Sequence, residues 1–283
     1  MFERQTTEPL YAKVLWNRPI SAHSAGRLLV VGGHSQGVAS LQDTYQIAAA
    51  SGIGSLTLVV PETLRRLLGT IPAIEFAPAT VAGSLAGVAT GQLMELASYA
   101  DAVLIGPDLS NNSETAILVE SFITGFHQPL ILAGDGLGLI SQSPETLRDR
   151  PNTLVILSMQ QLFGLAGKLG LALAIAAEDQ ITAKLAIVAD FWQTLRVDLA
   201  LVGPEIIIRA GERVSVTPLT SQPANLQAAA AGVLGVSYTQ NPSARYEGLS
   251  TGAFLIKEAI MQTPDPTVAG LASSLIKVIG GFD

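Results

Sequence analysis

A chain of 283 residues suits one large α/β domain or two small ones. Hydrophobic residues make up 48% of it, charged residues 14%, and the mean hydropathy is +0.42, which leaves a membrane protein or a sheet buried under helices on both faces, with an oligomer interface besides. The net charge of −7 without a Lys/Arg run argues against nucleic acid, the absence of cysteine excludes disulfides and zinc–sulfur sites, and three scattered histidines (His23, His34, His127) argue against a histidine metal site.

No stretch reaches the roughly eighteen uninterrupted apolar residues that a spanning helix needs. The run at 171–177 meets Glu178 and Asp179, and the run at 228–236 follows Asn225 and Gln227 and ends at Ser237. The first residues carry Glu3, Arg4 and Glu8 and no apolar core, unlike a secretory signal. The expectation is a cytoplasmic protein with no membrane partner.

In chain order, residues 1–25 read as an N-terminal arm and 26–283 as a single domain. Strands are expected at 27–31, 55–60, 101–105, 129–133, 153–157 and 198–202, several of them apolar throughout, as strands covered on both faces are. Helical spacing fills 41–50, 90–99, 114–124 and 181–195 between them. Strand and helix in alternation imply parallel strands joined by right-handed crossovers. Residues 205–209 and 213–217, joined by Ala210-Gly211-Glu212, then read as an antiparallel hairpin. Helices at about 223–238, 244–261 and 266–279 close the chain.

Ligands of open parallel sheets bind beyond the carboxyl ends of the strands, so the loops there are the places to search. Gly32-Gly33-His34-Ser35-Gln36-Gly37 is either a plain glycine turn or a place of close ligand approach. Gly106-Pro107-Asp108-Leu109-Ser110-Asn111-Asn112 is either a capped turn or a polar-ligand loop at a helix start. Asp135, between Gly134 and Gly136, is either a satisfied loop carboxylate or a group for Mg²⁺ or ligand. Thr220-Ser221-Gln222-Pro223-Ala224-Asn225 opens an Ala-rich helix, with Pro223 in its first turn and Thr220 or Ser221 as caps, and its free N–H groups suit an anion. No Ser–His–Asp set, paired glutamates or phosphate loop with Gly-Lys-Ser/Thr is present.

Taken in order, these segments resemble the ADP- or ATP-dependent NAD(P)H-hydrate dehydratases, of the ribokinase-like superfamily, from about residue 18 to about residue 258. The likeness is carried by Arg18-Pro19, Ser21, His23 and the run from Gly26 to Gly33; by Ala39-Ser40; by Ala50-Ser51-Gly52-Ile53-Gly54; by the run from Ala100 to Pro107; and by Pro129-Leu130-Ile131-Leu132 with Asp135. It implies a three-layer α/β/α sandwich with a mostly parallel sheet, a C-terminal hairpin and a helical cluster. It also implies ADP or ATP with Mg²⁺, a nucleotide or NAD(P)H-like partner, and a homo-oligomer, dimer or tetramer. Carried over residue by residue, Ser40, Gly106, Asp108 and Asp135 become candidates for substrate binding. Gly203, Gln222, Ala224 and Asn225 become candidates for nucleotide binding, with Asn225 at the place of the catalytic acid/base.

The departures concern the chemistry. Ser24 stands for the family's Lys, Asp108 and Ser110 for two glycines, and Ser158-Met159 with Gln161 for Thr-Pro-His with Glu. Val202-Gly203 stands for Lys-Gly, and Gln222-Pro223-Ala224-Asn225 for Gly-Thr-Gly-Asp. A positioned base contributes about 10²–10⁴-fold in rate, and an amide does not replace it. The expectation is a divergent dehydratase-like protein that keeps a nucleotide-type pocket with weak or no activity. An active dehydratase, a small-molecule kinase of the superfamily and a structural oligomer component are the alternatives.

Overall fold

The computed structural model describes residues 2–19, 21–69, 71–171, 181–263 and 267–282. The order of elements begins β1 (Glu3–Arg4), α1 (Ala12–Trp16), β2 (Arg27–Val31), α2 (Ala39–Ala50), β3 (Ser55–Pro61), α3 (Arg65–Leu68) and β4 (Ile74–Ala77). It continues with α4 (Thr90–Ala97), β5 (Ala102–Ile105), α5 (Ser113–Gly125), β6 (Leu130–Leu132), α6 (Asp135–Ile140), β7 (Thr153–Leu157) and α7 (Met159–Lys168). The C-terminal part holds α8 (Ile181–Leu195), β8 (Asp198–Val202), β9 (Glu205–Ala210), β10 (Arg213–Pro218), α9 (Leu226–Gln240), α10 (Arg245–Gln262) and α11 (Val268–Gly280).

The strands form one sheet in the order β1-β10-β9-β8-β7-β6-β5-β2-β3-β4. All run the same way except β9, which is antiparallel to β8 and to β10. Side chains alternate between faces, so each apolar strand feeds two cores. Leu28, Val30, Leu104, Ile131 and Ile156 meet α2, α9, α10 and α11 on one face. Leu29, Val31, Ile105, Leu132 and Leu157 meet α4 to α8 on the other. This is the expected three-layer α/β/α sandwich, and its buried central strands account for the high hydropathy. Among the described residues no helix is long and apolar enough to cross a membrane.

Four readings of the sequence change. Two strands were not expected: β1, a two-residue strand from the arm that pairs in parallel with β10, and β4, whose Ile-Glu-Phe-Ala forms the far edge. The strand at 129–133 shortens to β6. The hairpin turn has two residues rather than three, because Ala210 pairs with Arg213 and Gly211 takes φ +58°. The helix expected from 223 begins at Leu226. The apolar run at 171–177 lies, from residue 172 on, outside the described residues.

At the opposite end of the sheet from the loops discussed below, Asp198 opens β8 as a buried carboxylate. Its Oδ2 lies 3.0 Å from Arg245 Nε and accepts from the Tyr238 hydroxyl at 3.3 Å. Burial outweighs both partners and raises its pKa to about 6. A folded-state pKa above the unfolded one favours the folded protein in acid, and that advantage is lost as pH rises through the folded value. The unfolding free energy of the wild type minus that of Asp198→Asn therefore falls between about pH 4 and about pH 7, by on the order of 2–3 kcal/mol. Urea unfolding across that range measures it.

Candidate functional site

The neighbouring strands β2, β5 and β6 release the chain at one edge of the sheet through glycines, and the loops that follow are joined by backbone hydrogen bonds. Gly33 N–H donates to Pro107 O at 2.9 Å, Gly106 N–H to Val31 O at 3.1 Å, and Asp135 N–H to Gly106 O at 3.1 Å. Gly106 has φ +139°, and a Cβ there would stand 1.7 Å from Ala133 O. A Cβ at Gly32 would stand 2.2 Å from Pro107 O. Only backbone fits between these loops, so the residues just beyond them are held in fixed places.

Asp108 occupies left-handed backbone (φ +53°), and its Oδ2 accepts from Leu41 N–H at 2.9 Å. It thereby caps α2, whose own N-cap residue Val38 makes no side-chain bond. Ser40 is exposed on the first turn of the same helix. Asp135 opens α6, its side chain in contact with solvent. Burial raises its pKa first and the charge of Asp108 second, while His34 acts in the opposite sense. Burial and then Asp108 raise the carboxyl of Asp43 as well. Negative charge thus gathers around Asp108. Among the described residues, no three or more His, Asp or Glu side chains are grouped to hold a metal ion.

Two more helices at this edge are closed by side chains. Asn112 Oδ1 accepts from Glu114 N–H at 2.9 Å and Thr115 N–H at 3.3 Å, capping α5. On α7, Ser158 and Gln161 form a reciprocal capping box, and Gln161 Nε2 also donates to Gly134 O at 3.0 Å. Gln161 therefore ties two strand-end loops together. The Ser-x-x-Gln spacing was the signal in the sequence that could have revealed the box.

The turn before α9 lies at the same edge. Strand β10 ends there, with Leu219 N–H donating to Pro204 O at 3.0 Å, and Gln227 Nε2 reaches Val202 O at the end of β8 at 3.3 Å. Helices α9 and α2 run parallel: Thr44 Oγ1 donates to Ala228 O near their starts, and Gln240 Nε2 bonds Gly52 O at 2.9 Å beyond the end of α2. Their N-termini are neighbours. Pro223 has no N–H, and its carbonyl accepts from Leu226 N–H at 3.0 Å, so the tight turn comes first and the helix follows. The N-cap is Asn225 rather than Thr220 or Ser221, and it makes no side-chain cap. Its Oδ1 is buried without a hydrogen-bond partner. Gln222 and Ala224 are exposed beside it.

Two cavities lie at this edge of the sheet. One of about 170 Å³ lies between Ser221, Gln222 and Pro223 and the side chains of Ile260, Thr263 and Leu271. The other, of about 390 Å³, lies under the β8–β9 turn, where Gly203 N–H donates to Glu205 O at 3.1 Å. Met159, Phe163, Leu201 and Pro204 are among its walls, and Lys184 Nζ meets Glu205 Oε1 at 2.6 Å within it. Nothing local in the sequence announces that ion pair. The structure thus brings Gly106, Asp108, Asp135 and Ser40 to one part of the edge and Gly203, Gln222, Ala224 and Asn225 to the adjoining part.

No protein-family model matches the chain. The bifunctional NAD(P)H-hydrate repair enzyme Nnr of Salinibacter ruber is 30% identical over 132 residues, 45% of this chain and 24% of that protein. The matches to this and two further Nnr proteins cover about a quarter of the relatives' length. A ribokinase-like superfamily protein from Enterococcus faecalis superposes with a TM-score of 0.75 at 16% identity, covering 99% of this chain and 96% of that one. The ADP/ATP-dependent NAD(P)H-hydrate dehydratase of Bacillus subtilis, co-crystallised with ATP/Mg²⁺, superposes at 0.66 with 13% identity, covering 96% and 97%. The fold is ribokinase-like.

The Gly106→Ala change should lower stability by about 3 kcal/mol or prevent folding, through the clash and the positive φ. Gly91→Ala, on an open face of α4 with no atom within 4 Å of the added Cβ, should be neutral or gain up to about 1 kcal/mol. Urea unfolding separates the two. Asp108→Asn keeps a residue that tolerates left-handed backbone and can still accept from Leu41, but removes the charge. The Asp135 carboxyl should then titrate at lower pH, as followed by carboxyl NMR shifts.

Proposed function

We propose that this ribokinase-fold chain, a homologue of the NAD(P)H-hydrate repair enzymes, is a divergent dehydratase-like protein. In this reading it holds a nucleotide-type or NAD(P)H-like small molecule at the carboxyl edge of its sheet and has weak or no dehydratase activity. Gly203, Gln222, Ala224 and Asn225 border the nucleotide side. Ser40, Gly106, Asp108 and Asp135 border the substrate side.

The observation that carries the reading is the N-cap of α9. An ATP-driven dehydration needs a group that takes a proton from the hydroxyl being phosphorylated, and donors around the transferred phosphate. Asn225 holds a buried amide oxygen with no partner at that turn, and an amide does not take up a proton there. Pro223 removes one backbone donor. Asp108, a carboxylate of the neighbouring loop, is engaged with Leu41 N–H. Asp135 lies on α6, beyond the Gly106 loop.

ADP or ATP with Mg²⁺ would supply the phosphoryl group. Mg²⁺ usually takes one or two carboxylates and completes its octahedron with phosphate oxygens and water. No group of three carboxylate or imidazole ligands awaits it among the described residues. The cavities fit the base and sugar of a nucleotide better than its charged tail.

The names of the curated relatives favour a second reading, an active repair enzyme. Recovery of NADPH absorbance from its hydrate, with ADP or ATP and Mg²⁺, decides between the two. The expected rate is at least about 100-fold below the ~10 s⁻¹ of an ordinary enzyme. The single change Asn225→Asp should leave it low, because Ser24, Gln161 and Val202 remain. Ordinary turnover by the wild type would sink the proposal.

A further inference from the structure

The two cavities at this edge differ in size but agree in charge. The smaller is lined by Ser221, Gln222, Pro223, Ile260, Thr263 and Leu271, with no ionisable group among them. In the larger, Lys184 is the one cation among the described lining residues, and Glu205 neutralises it at 2.6 Å. Cations that elsewhere face acceptors are committed at the opposite end of the sheet: Arg27 with Asp101 at the start of β2, and Arg245 with Asp198 at the start of β8.

Three of the helix N-termini at this edge are already capped. Asp108 sits on that of α2, Asn112 on that of α5, and Ser158 with Gln161 on that of α7. The α9 turn contributes Pro223, without an N–H, and Asn225, whose buried amide oxygen is an acceptor and not a donor. Asp43 and Asp135 add negative charge on either side of Asp108. A polyphosphate entering here would meet acceptors and carboxylates, with His34 as the counter-charge beside Asp135. A flat ring would meet Met159, Phe163, Leu201 and Pro204, with the Gln160 amide beside them.

We infer that the molecule this pocket holds is an uncharged heteroaromatic compound of nucleoside size, without a polyphosphate. The inference rests on the pocket reading above and narrows it. Its ring packs on the apolar walls under the β8–β9 turn, with the Gln160 amide beside it. Affinity therefore falls as phosphates are added to a fixed base and sugar. Because the penalty is like-charge repulsion, salt relieves it, the reverse of an ordinary phosphate site.

The test is calorimetric titration of the full chain with adenosine, AMP, ADP and ATP, with and without Mg²⁺, at about 0.02 M and about 0.2 M salt. Adenosine is expected to bind tightest in every condition, with ATP at least tenfold weaker at low salt. That gap narrows at higher salt and narrows several-fold in Asp135→Asn, an exposed position whose change leaves the fold intact. ADP or ATP binding tighter than adenosine, or nucleotide affinity that drops as salt rises, overturns the inference and leaves the pocket reading standing. Binding by none of the four overturns the pocket reading, and the inference with it.

Discussion

A Cβ at Gly232 would stand 2.8 Å from Ile47 Cγ2 and 3.0 Å from Ala48 N, so α9 lies this close to α2 because its contact residues are small. Ala229, Ala230 and Ala231 beside it are all buried, and the helix has no polar face to turn outward. This contact sets the path of the chain after β10. It aligns α9 parallel to α2 and brings the start of α9 to the edge where β2, β5 and β6 end. Every functional argument depends on that placement, since the Asn225 turn and the Gly106 loop stand at one edge only if the two helices stay in register.

Within that frame the architecture is ribokinase-like, and side chains of the chain itself fasten several of the strand-end loops. The N-termini of α2, α5 and α7 are closed by side chains from the protein itself. Two of the departures supply internal caps: Asp108, where the dehydratases resembled have glycine, holds α2, and Gln161, where they have glutamate, holds both α7 and the Gly134 loop. A cap contributes about 1 kcal/mol to stability.

Much of this architecture was legible in the sequence, because continuous apolar runs between turn residues describe buried parallel strands well. The expected strands at 27–31, 153–157 and 198–202 coincide with β2, β7 and β8. The edges were harder to read. Glu75 interrupts the four residues of β4, and β1 is two residues held by a strand more than two hundred positions away, so neither carries a local pattern. The start of α9 was misplaced because Pro223 suits a first helical turn equally well as a tight turn just before one. The position of Asn225 could be inferred from motif order. The bond from Asp108 to Leu41 spans 67 residues and belongs to the folded chain alone.

The central claim is that the α9 turn occupies the place of phosphoryl transfer without the groups to perform it. The most direct measurement is a single-turnover experiment with the protein in excess over hydrated NADPH, following phosphate release from ATP, since slow product release cannot mask chemistry there. The account predicts no phosphate beyond the protein-free control. A burst of phosphate matching the hydrate present would contradict it.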